Sequence, residues 1–472
     1  MRKTRIIFIV LFFGACIIPT AFMPFVSVNE TAESRKLSEM PSFLTEDGKP
    51  NLDWSAQFET YLSEHFAFRQ NLVTLDSLVK SNVFKVSSNE KVITGKNGWL
   101  YFASTLDDYL SRNTMSQRGI NNTAKTLSLI QEYVESCDAE FVFICSPNKN
   151  TIYPQNMPDR YIPTGDASNL SNLYEAMKLY SVNYIDLKAL FLAQDKTLYL
   201  SRDSHWNNEG ALLVTNSLLD YFDVEHDDFS AVPHHSQLCW EGDLDSMIFP
   251  VMHNLCEQEI YDYTPSFNYI SNFKTEDDMT IKTIKEGKTA RMLMFRDSFG
   301  RSLYPFISEN IYKAEFSRET PYRLSLMKDI DAQFVVIEIV ERNIPNITKA
   351  APAVPALARP LDVSARVVKS SLNKCYVTEK SGMTKIYGLL DEQYFDDTSD
   401  IYITLESNSI FCYEAFPVCE TELLNIDNSD YGFSLFVDTN VLPADIYKVN
   451  AYIKNNDDFI CTDELLTLDL LS

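Results

Sequence analysis

Four short apolar runs, 141–145, 184–187, 292–295 and 334–339, carry almost no polar alternation. A strand with one wet face alternates, whereas a strand without alternation is covered on both faces. Between and beside these runs, apolar residues recur at helical spacing over 124–135, 168–179, 209–221 and 299–308. The succession predicts an α/β domain with a mainly parallel sheet flanked by helices. Residues 225–290 interrupt it with a less regular insertion that contains Trp240-Glu241-Gly242-Asp243.

At 472 residues the chain exceeds one ordinary domain. Residues 349–362 are dominated by Ala and Pro and read as an interdomain linker. After them, short β-rich runs at 365–368, 385–389, 401–405, 432–437 and 447–452 predict a small β-sandwich-like domain over 363–472. At the other end, Arg2, Lys3 and Arg5 precede an uncharged run over 6–28. About 20 such residues cross a bilayer. The flanking charges predict a signal anchor at 1–28, a cytoplasmic N-terminus and an extracytoplasmic remainder. A cleaved signal peptide is the other reading. Residues 29–90 read as a juxtamembrane linker followed by a packing helix with Phe58, Leu62, Phe66, Leu72, Leu75 and Leu78. That leaves 91–348 as the main domain.

The formal net charge of −25 excludes a nucleic-acid partner, because phosphate binding needs clustered Lys and Arg. Eight cysteines follow Cys16, four before residue 360 and four after, so export permits disulfides. Cys145 lies inside an apolar run and is suited to packing as a small hydrophobe. No Cys-x-x-Cys spacing suggests zinc, and no cofactor is expected.

The chemistry concentrates in two segments. Ser201-Arg202-Asp203-Ser204-His205-Trp206 sets a carboxylate and an imidazole two residues apart. In extended chain such residues share a side. Met294-Phe295-Arg296-Asp297-Ser298-Phe299-Gly300 ends an apolar strand pattern in a serine. A serine at a strand-to-helix junction sits at the sheet edge where α/β proteins bind ligands. If the segments meet, Ser298, His205 and Asp203 form an acyl-transfer triad. Locally, Ser298 or Asp297 equally suits a helix cap, and His205 a structural role near a helix start. Metal binding by Asp203, His205 and Glu209, with His234 or His235, is the rival chemistry.

The Asp203-Ser204-His205-Trp206 segment resembles the signature of the DHHW proteins, named for Asp-His-His-Trp, with Ser204 in place of the first His. Those proteins are similar to the alginate O-acetylation proteins, which carry an SGNH-hydrolase-like domain. Further matching stretches are Glu33-Ser34-Arg35-Lys36-Leu37 before Pro41, Tyr61 to Arg69, Gly95 to Tyr101, and Pro147 to Pro154. Gly242-Asp243-Leu244, Arg296 to Gly300 and Glu341-Arg342 complete a resemblance over roughly residues 30–345.

The resemblance implies Ser298 as nucleophile, His205 as general base and Asp203 as its partner. Lys149, Tyr101, Trp206, Arg342 and Arg296 are the candidate substrate or oxyanion contacts. Ser204 is expected to point away from Asp203 and His205. The implied activity is an extracytoplasmic O-acetyltransferase acting on a cell-surface or secreted polysaccharide, supplied by a membrane-bound acyltransferase partner. A carbohydrate esterase with the same triad is an alternative, as is a non-catalytic glycan-binding or assembly protein. Tyr376, Tyr387, Tyr394 and Phe395 would serve a glycan-binding role in the C-terminal domain.

Overall fold

The computed structural model describes residues 2–23, 25, 37–45, 47–84, 86–165, 167–252, 254–360, 365–456 and 458–471. Glu33, Arg35 and Lys36, read above as part of the family resemblance, lie outside the described residues.

Among the described residues the N-terminal apolar run is helical over Arg2–Phe22. Its uncharged helical part therefore spans 17 residues, with Pro19 inside it. At ~1.5 Å per residue that is shorter than the ~30 Å hydrocarbon layer. Among the described residues no helix is long and apolar enough to cross a membrane. Residues 1, 24 and 26–28 of the expected spanning helix over 1–28 lie outside the described residues, and on the helix that is described Ile7, Phe8 and Val10 are exposed. The expected packing helix is two, Trp54–His65 and Arg69–Val79. Leu78 packs against the core of Val92, Leu100, Leu244 and Ile248, while Leu62, Leu72 and Leu75 face solvent.

The main domain contains β1 (Val92–Thr94), β2 (Leu100–Phe102), β3 (Glu140–Ser146), β4 (Tyr184–Ile185), β5 (His234–Glu241), β6 (Leu255–Tyr261), β7 (Asn268–Tyr269), β8 (Thr280–Ile284), β9 (Arg291–Phe295), β10 (Lys313–Ser317) and β11 (Phe334–Val340). Seven of them form one sheet in the order β4-β3-β11-β9-β10-β8-β7. The first five run parallel, and β8 and β7 close the edge antiparallel. Both faces are buried, as the missing alternation requires. Phe141, Phe143 and Cys145 of β3 enter one core with the helices Gln117–Ser136 and Asn169–Leu179. Val142 and Ile144 enter the other, with the helices Asn208–Tyr221 and Tyr304–Asn310. Side-chain caps start three of these helices: Ser116 accepts from Gly119, Ser168 from Ser171, and Asn207 from Gly210.

Some boundaries differ from the sequence reading. The run at 184–187 pairs only at Tyr184–Ile185, because Asp186 turns to cap the helix Leu187–Leu192. The helix expected at 299–308 is a 3₁₀ turn, Phe299–Arg301, followed by Tyr304–Asn310 with Pro305 in its first turn. The insertion is an antiparallel ribbon of β5 and β6 enclosing the short helix Asp243–Ile248. The eight cysteines after Cys16 are free thiols, so the permitted disulfides do not form.

The C-terminal region is β-rich as expected. A six-stranded and a three-stranded sheet share one core, with Ile386, Phe433 and Leu435 facing Ile403, Val449 and Ile453. The Ala/Pro segment before it is packed: Ala351 and Val354 are buried with the first core, and the Ala356 N–H donates to Phe436. Docking centres on Arg118, which lies over Phe395 at 4.2 Å and donates to the carbonyls of Asp430, Asp396 and Ser399. Phe395 is thereby committed to the domain interface. Arg118→Ala removes this shared donor and the ring contact, leaving Asp430 with Asn122 and Asp396 with Ser399 as remaining donors, at a cost of about 3 kcal/mol. The expected outcome is that the C-terminal region melts ahead of the main domain, seen as a second transition in calorimetry.

Candidate active site

The carboxyl end of β9 delivers Ser298, and the loop 196–207 that leads into the helix Asn208–Tyr221 delivers Asp203 and His205. The segments meet. His205 Nε2 lies 2.9 Å from Ser298 Oγ, and His205 Nδ1 lies 2.7 Å from Asp203 Oδ1. Asp203 and His205 are both buried. Ser298 makes no cap hydrogen bond; Asp297 does the capping, accepting from the Phe299 N–H and also from Val340. A base on one side of a serine hydroxyl and a carboxylate behind the base are the parts needed to activate that hydroxyl.

The buried Asp203 charge is fully hydrogen-bonded. Oδ1 also accepts from the His205 N–H at 2.9 Å, and Oδ2 accepts from Trp240 Nε1 at 2.9 Å and from the Asp243 N–H at 3.1 Å. Burial alone raises its pKa, but the His205 ring, Arg301 and these donors outweigh burial and hold Asp203 well below the usual carboxylate range. Trp240 and Asp243, both from the insertion, are site residues that the sequence reading did not assign. The only signal available was Gly242. A Cβ there would stand 2.2 Å from the Arg202 carbonyl oxygen, so only glycine lets the ribbon approach the loop this closely.

Ser204 does not point away, contrary to expectation. Its hydroxyl lies 3.2 Å from His205 Nδ1 and donates to Asp243 Oδ2 at 2.5 Å, while its N–H donates to Asp243 Oδ1. Burial and the Asp203 charge push the Asp243 carboxyl up. Asp203, His205 and Asp243 offer ligand atoms within 4.8 Å of one another. The rival metal set is not assembled, because Glu209 pairs with Lys196, and His234 and His235 lie on the exposed β5.

The five candidate contacts divide. Lys149 is buried and spends its ammonium on the carbonyls of Leu200, Ser201 and Asp203, with the rings of Trp99 and Tyr101 beside it. Burial pushes its pKa down to about 8. Tyr101 is buried and donates to the Tyr153 carbonyl. Trp206 is buried against Phe299 and donates to Ser302 Oγ at 2.7 Å. Arg296 donates to the carbonyls of Asp297, Glu276 and Asp278. These four hold the loops of the site in place. Arg342 is half-buried over Phe299 and Phe102 and makes no hydrogen bond among the described residues. A cleft of about 250 Å³ opens beside His205, lined by Trp240, Gln258, Tyr261, Tyr263 and Arg301.

A serine, a histidine and an aspartate joined in this order at the carboxyl edge of a parallel sheet have the geometry of acyl-transfer and ester-cleaving enzymes. Residues 92–229, which include Asp203 and His205, match the family model described as SGNH hydrolase-like domain, acetyltransferase AlgX. That match is to the kind of family that the resemblance implied. No curated protein matches the chain. Among solved structures, a DHHW family protein from Eubacterium siraeum aligns at 14% identity over 54% of this chain and 92% of its own, with a TM-score of 0.41. Bacillus cereus PatB1 aligns at 13% identity over 54% and 96%, TM-score 0.42. The O-acetyltransferase domain of Pseudomonas putida AlgJ aligns at 16% identity over 54% and 92%, TM-score 0.36.

Trp240→Phe keeps the ring and deletes the donor to Asp203. It is expected to lower kcat on an acetyl ester about tenfold or more, with KM little changed, and steady-state kinetics check this. Deeper in the site, Glu341 accepts from the Asn148 N–H and Thr151 Oγ1, and burial with the Asp108 charge pushes its pKa up to about 8. Its unfolded value is about 4.3, so the native state holds an extra proton, and stability falls as pH rises from about 5 to about 8. Glu341→Gln removes that dependence. The melting temperature of the variant relative to wild type is expected to rise steadily between those pH values.

Proposed function

We propose that this protein is an extracytoplasmic O-acetyltransferase that acylates a cell-surface or secreted polysaccharide through Ser298. The observation that carries the reading is the unbroken chain Ser298 Oγ, His205 Nε2, His205 Nδ1, Asp203 Oδ1, two of whose residues lie in the segment that matches an acetyltransferase family model. His205 takes the Ser298 proton as the hydroxyl attacks the acetyl carbonyl. The Phe299 N–H is taken by Asp297, which leaves the N–H groups of Ser298 and Gly300 as backbone donors on this turn for the oxyanion. Arg342, with an uncommitted guanidinium beside Phe299, adds positive charge there. His205 returns the proton to the leaving group, and an acyl-serine remains. A sugar hydroxyl then enters the cleft beside His205, loses its proton to the same nitrogen and takes the acyl group, while the acyl–Oγ bond breaks and His205 returns the proton to Ser298 Oγ. Trp240, Tyr261 and Tyr263 give that cleft the aromatic faces that sugar rings pack against.

Activated acetyl groups must reach Ser298 from elsewhere, and a membrane-bound acyltransferase is the partner this scheme calls for. Water in place of the sugar hydroxyl makes the same machinery an esterase. Incubation of the protein with p-nitrophenyl acetate is expected to give an adduct of about 42 Da on Ser298, absent in Ser298→Ala by intact-mass analysis. Passage of the acetyl to an added oligosaccharide supports transfer, and release as free acetate alone supports the esterase. No adduct and no p-nitrophenol release from wild type would exclude both.

A further inference from the structure

The helix Arg69–Val79 is turned inside out for a helix in water. Its buried residues are Thr74 and Ser77. Its apolar residues face outward: Phe68 at its start, Leu72, Leu75 and Val79 are all exposed, Leu75 by 59%. Their spacing sets them in one stripe along the helix. The chain continues helical through Lys80–Phe84, where Val83 and Phe84 are exposed as well. A helix in water turns such a stripe toward the core, and an apolar patch left open marks a surface that something covers. Asp76 and Lys80 at the flank pair with each other at 2.8 Å, so neither adds an unpaired charge to the stripe.

The place where the stripe begins identifies its cover. Phe68 lies against Phe22, with ring centres 5.8 Å apart, at the end of the helix Arg2–Phe22. That helix is apolar on every side. Ile6, Ile7, Phe8 and Ile9 point about 100° apart in turn, and all four are exposed. A second copy of the chain laid on the stripe would cover one face of one helix and leave the other helix open. A hydrocarbon layer covers both, and the two helices touch where they would enter it. We propose that the stripe from Phe68 to Phe84 lies in the surface of a lipid bilayer, with its apolar side chains at the boundary of headgroups and acyl chains. The contact does not require Arg2–Phe22 to span that bilayer. Leu78, off the stripe, packs with Leu244 and Ile248 of the helix Asp243–Ile248, and the Asp243 N–H at the start of that helix donates to Asp203. A bilayer held at the stripe therefore sets the height of Asp203 and His205 above the lipid, where a donor embedded in the membrane would present its acetyl group. That use of the contact rests on the transferase reading, but the contact itself does not.

The test reconstitutes the full chain with phosphatidylcholine vesicles whose acyl chains carry bromine near the headgroup, a short-range quencher of tryptophan. Leu75→Trp and Phe84→Trp report from the stripe. Leu372→Trp, exposed in the C-terminal region, reports from solvent. Each is read as the difference from wild type. The emission added at positions 75 and 84 is expected to shift to the blue and to fall about twofold or more with brominated lipid, while that at 372 stays unchanged. Leu72→Asp combined with Val79→Asp, both at exposed positions, is expected to abolish the quenching at 75. Absence of quenching at both stripe positions, quenching that survives the double substitution, or equal quenching at 372 overturns the proposal. So does a blue shift without quenching that grows with protein concentration, the signature of a second copy on the stripe. Formation of the acyl-serine by wild type is measured separately in detergent. Quenching without an acyl-serine keeps the bilayer contact and discards the transferase, and an acyl-serine without quenching does the reverse.

Discussion

A single buried carboxylate organises the centre of this molecule. Asp203 lies 1% exposed at the sheet edge, where an ionised group survives only with its lone pairs filled. Two chain segments fill them: the loop itself through His205, and the insertion through Trp240 and Asp243. Lys149 works from the other side, bonding the carbonyls of residues 200, 201 and 203, so the carboxylate cannot shift without losing donors in two directions. The insertion is therefore part of the site and not an ornament on the domain. Without it, Asp203 would be a buried charge with half its partners missing, and the imidazole it orients would lose its reference.

The turn that bears Ser298 is fixed by a second set of acidic groups. Asp297 ties the turn to β11 through the Val340 N–H, and Glu338 of β11 accepts from the Asp297 N–H and from Ser146. Burial pushes Glu338 well above the usual carboxylate range. Neighbouring β-strands thus set the serine, while the loop and ribbon set the histidine and aspartate. Gly300 completes the arrangement, since a Cβ there would stand 2.6 Å from that of Arg296. The two halves meet through Trp206, which packs on Phe299 and donates to Ser302, and at the contact between Nε2 and Oγ, where a proton must move.

The strands β3, β9 and β11 were legible because a strand buried on both faces leaves an unbroken apolar run. β10 was not, since Lys313-Ala314-Glu315-Phe316-Ser317 alternates like a surface strand. Its Glu315 is buried and paired across the sheet edge with Lys282 at 2.9 Å, a partner that only the fold supplies. In the C-terminal region five strands were legible, while Lys374–Lys380, Ile410–Glu414, Asp458–Thr462 and Leu466–Asp469 were not. At the site, residues two apart in one loop and a serine ending an apolar run could be read locally. Trp240 could not be tied to Asp203, because their approach depends on a ribbon folding back across 37 residues. Lys149 and Arg296 were taken for ligand contacts since a lysine or arginine that binds carbonyls of its own chain has the same sequence appearance as one that binds substrate.

The serine at the second position of the Asp-x-His-Trp segment bears on how the imidazole is held. His205 Nδ1 has two acceptors in reach, Asp203 Oδ1 at 2.7 Å and Ser204 Oγ at 3.2 Å. The Ser204 proton is directed to Asp243, so the hydroxyl presents only a lone pair to the ring. Every group around Nδ1 is then an acceptor, and the proton of a neutral imidazole belongs on that nitrogen. Nε2 is left as the acceptor facing Ser298. Asp203 sets the tautomer, and Ser204 with Asp243 reinforces it instead of competing for it. A histidine at position 204 would bring a second titrating ring to the same place; a serine achieves the orientation with a group that stays neutral across the working pH range.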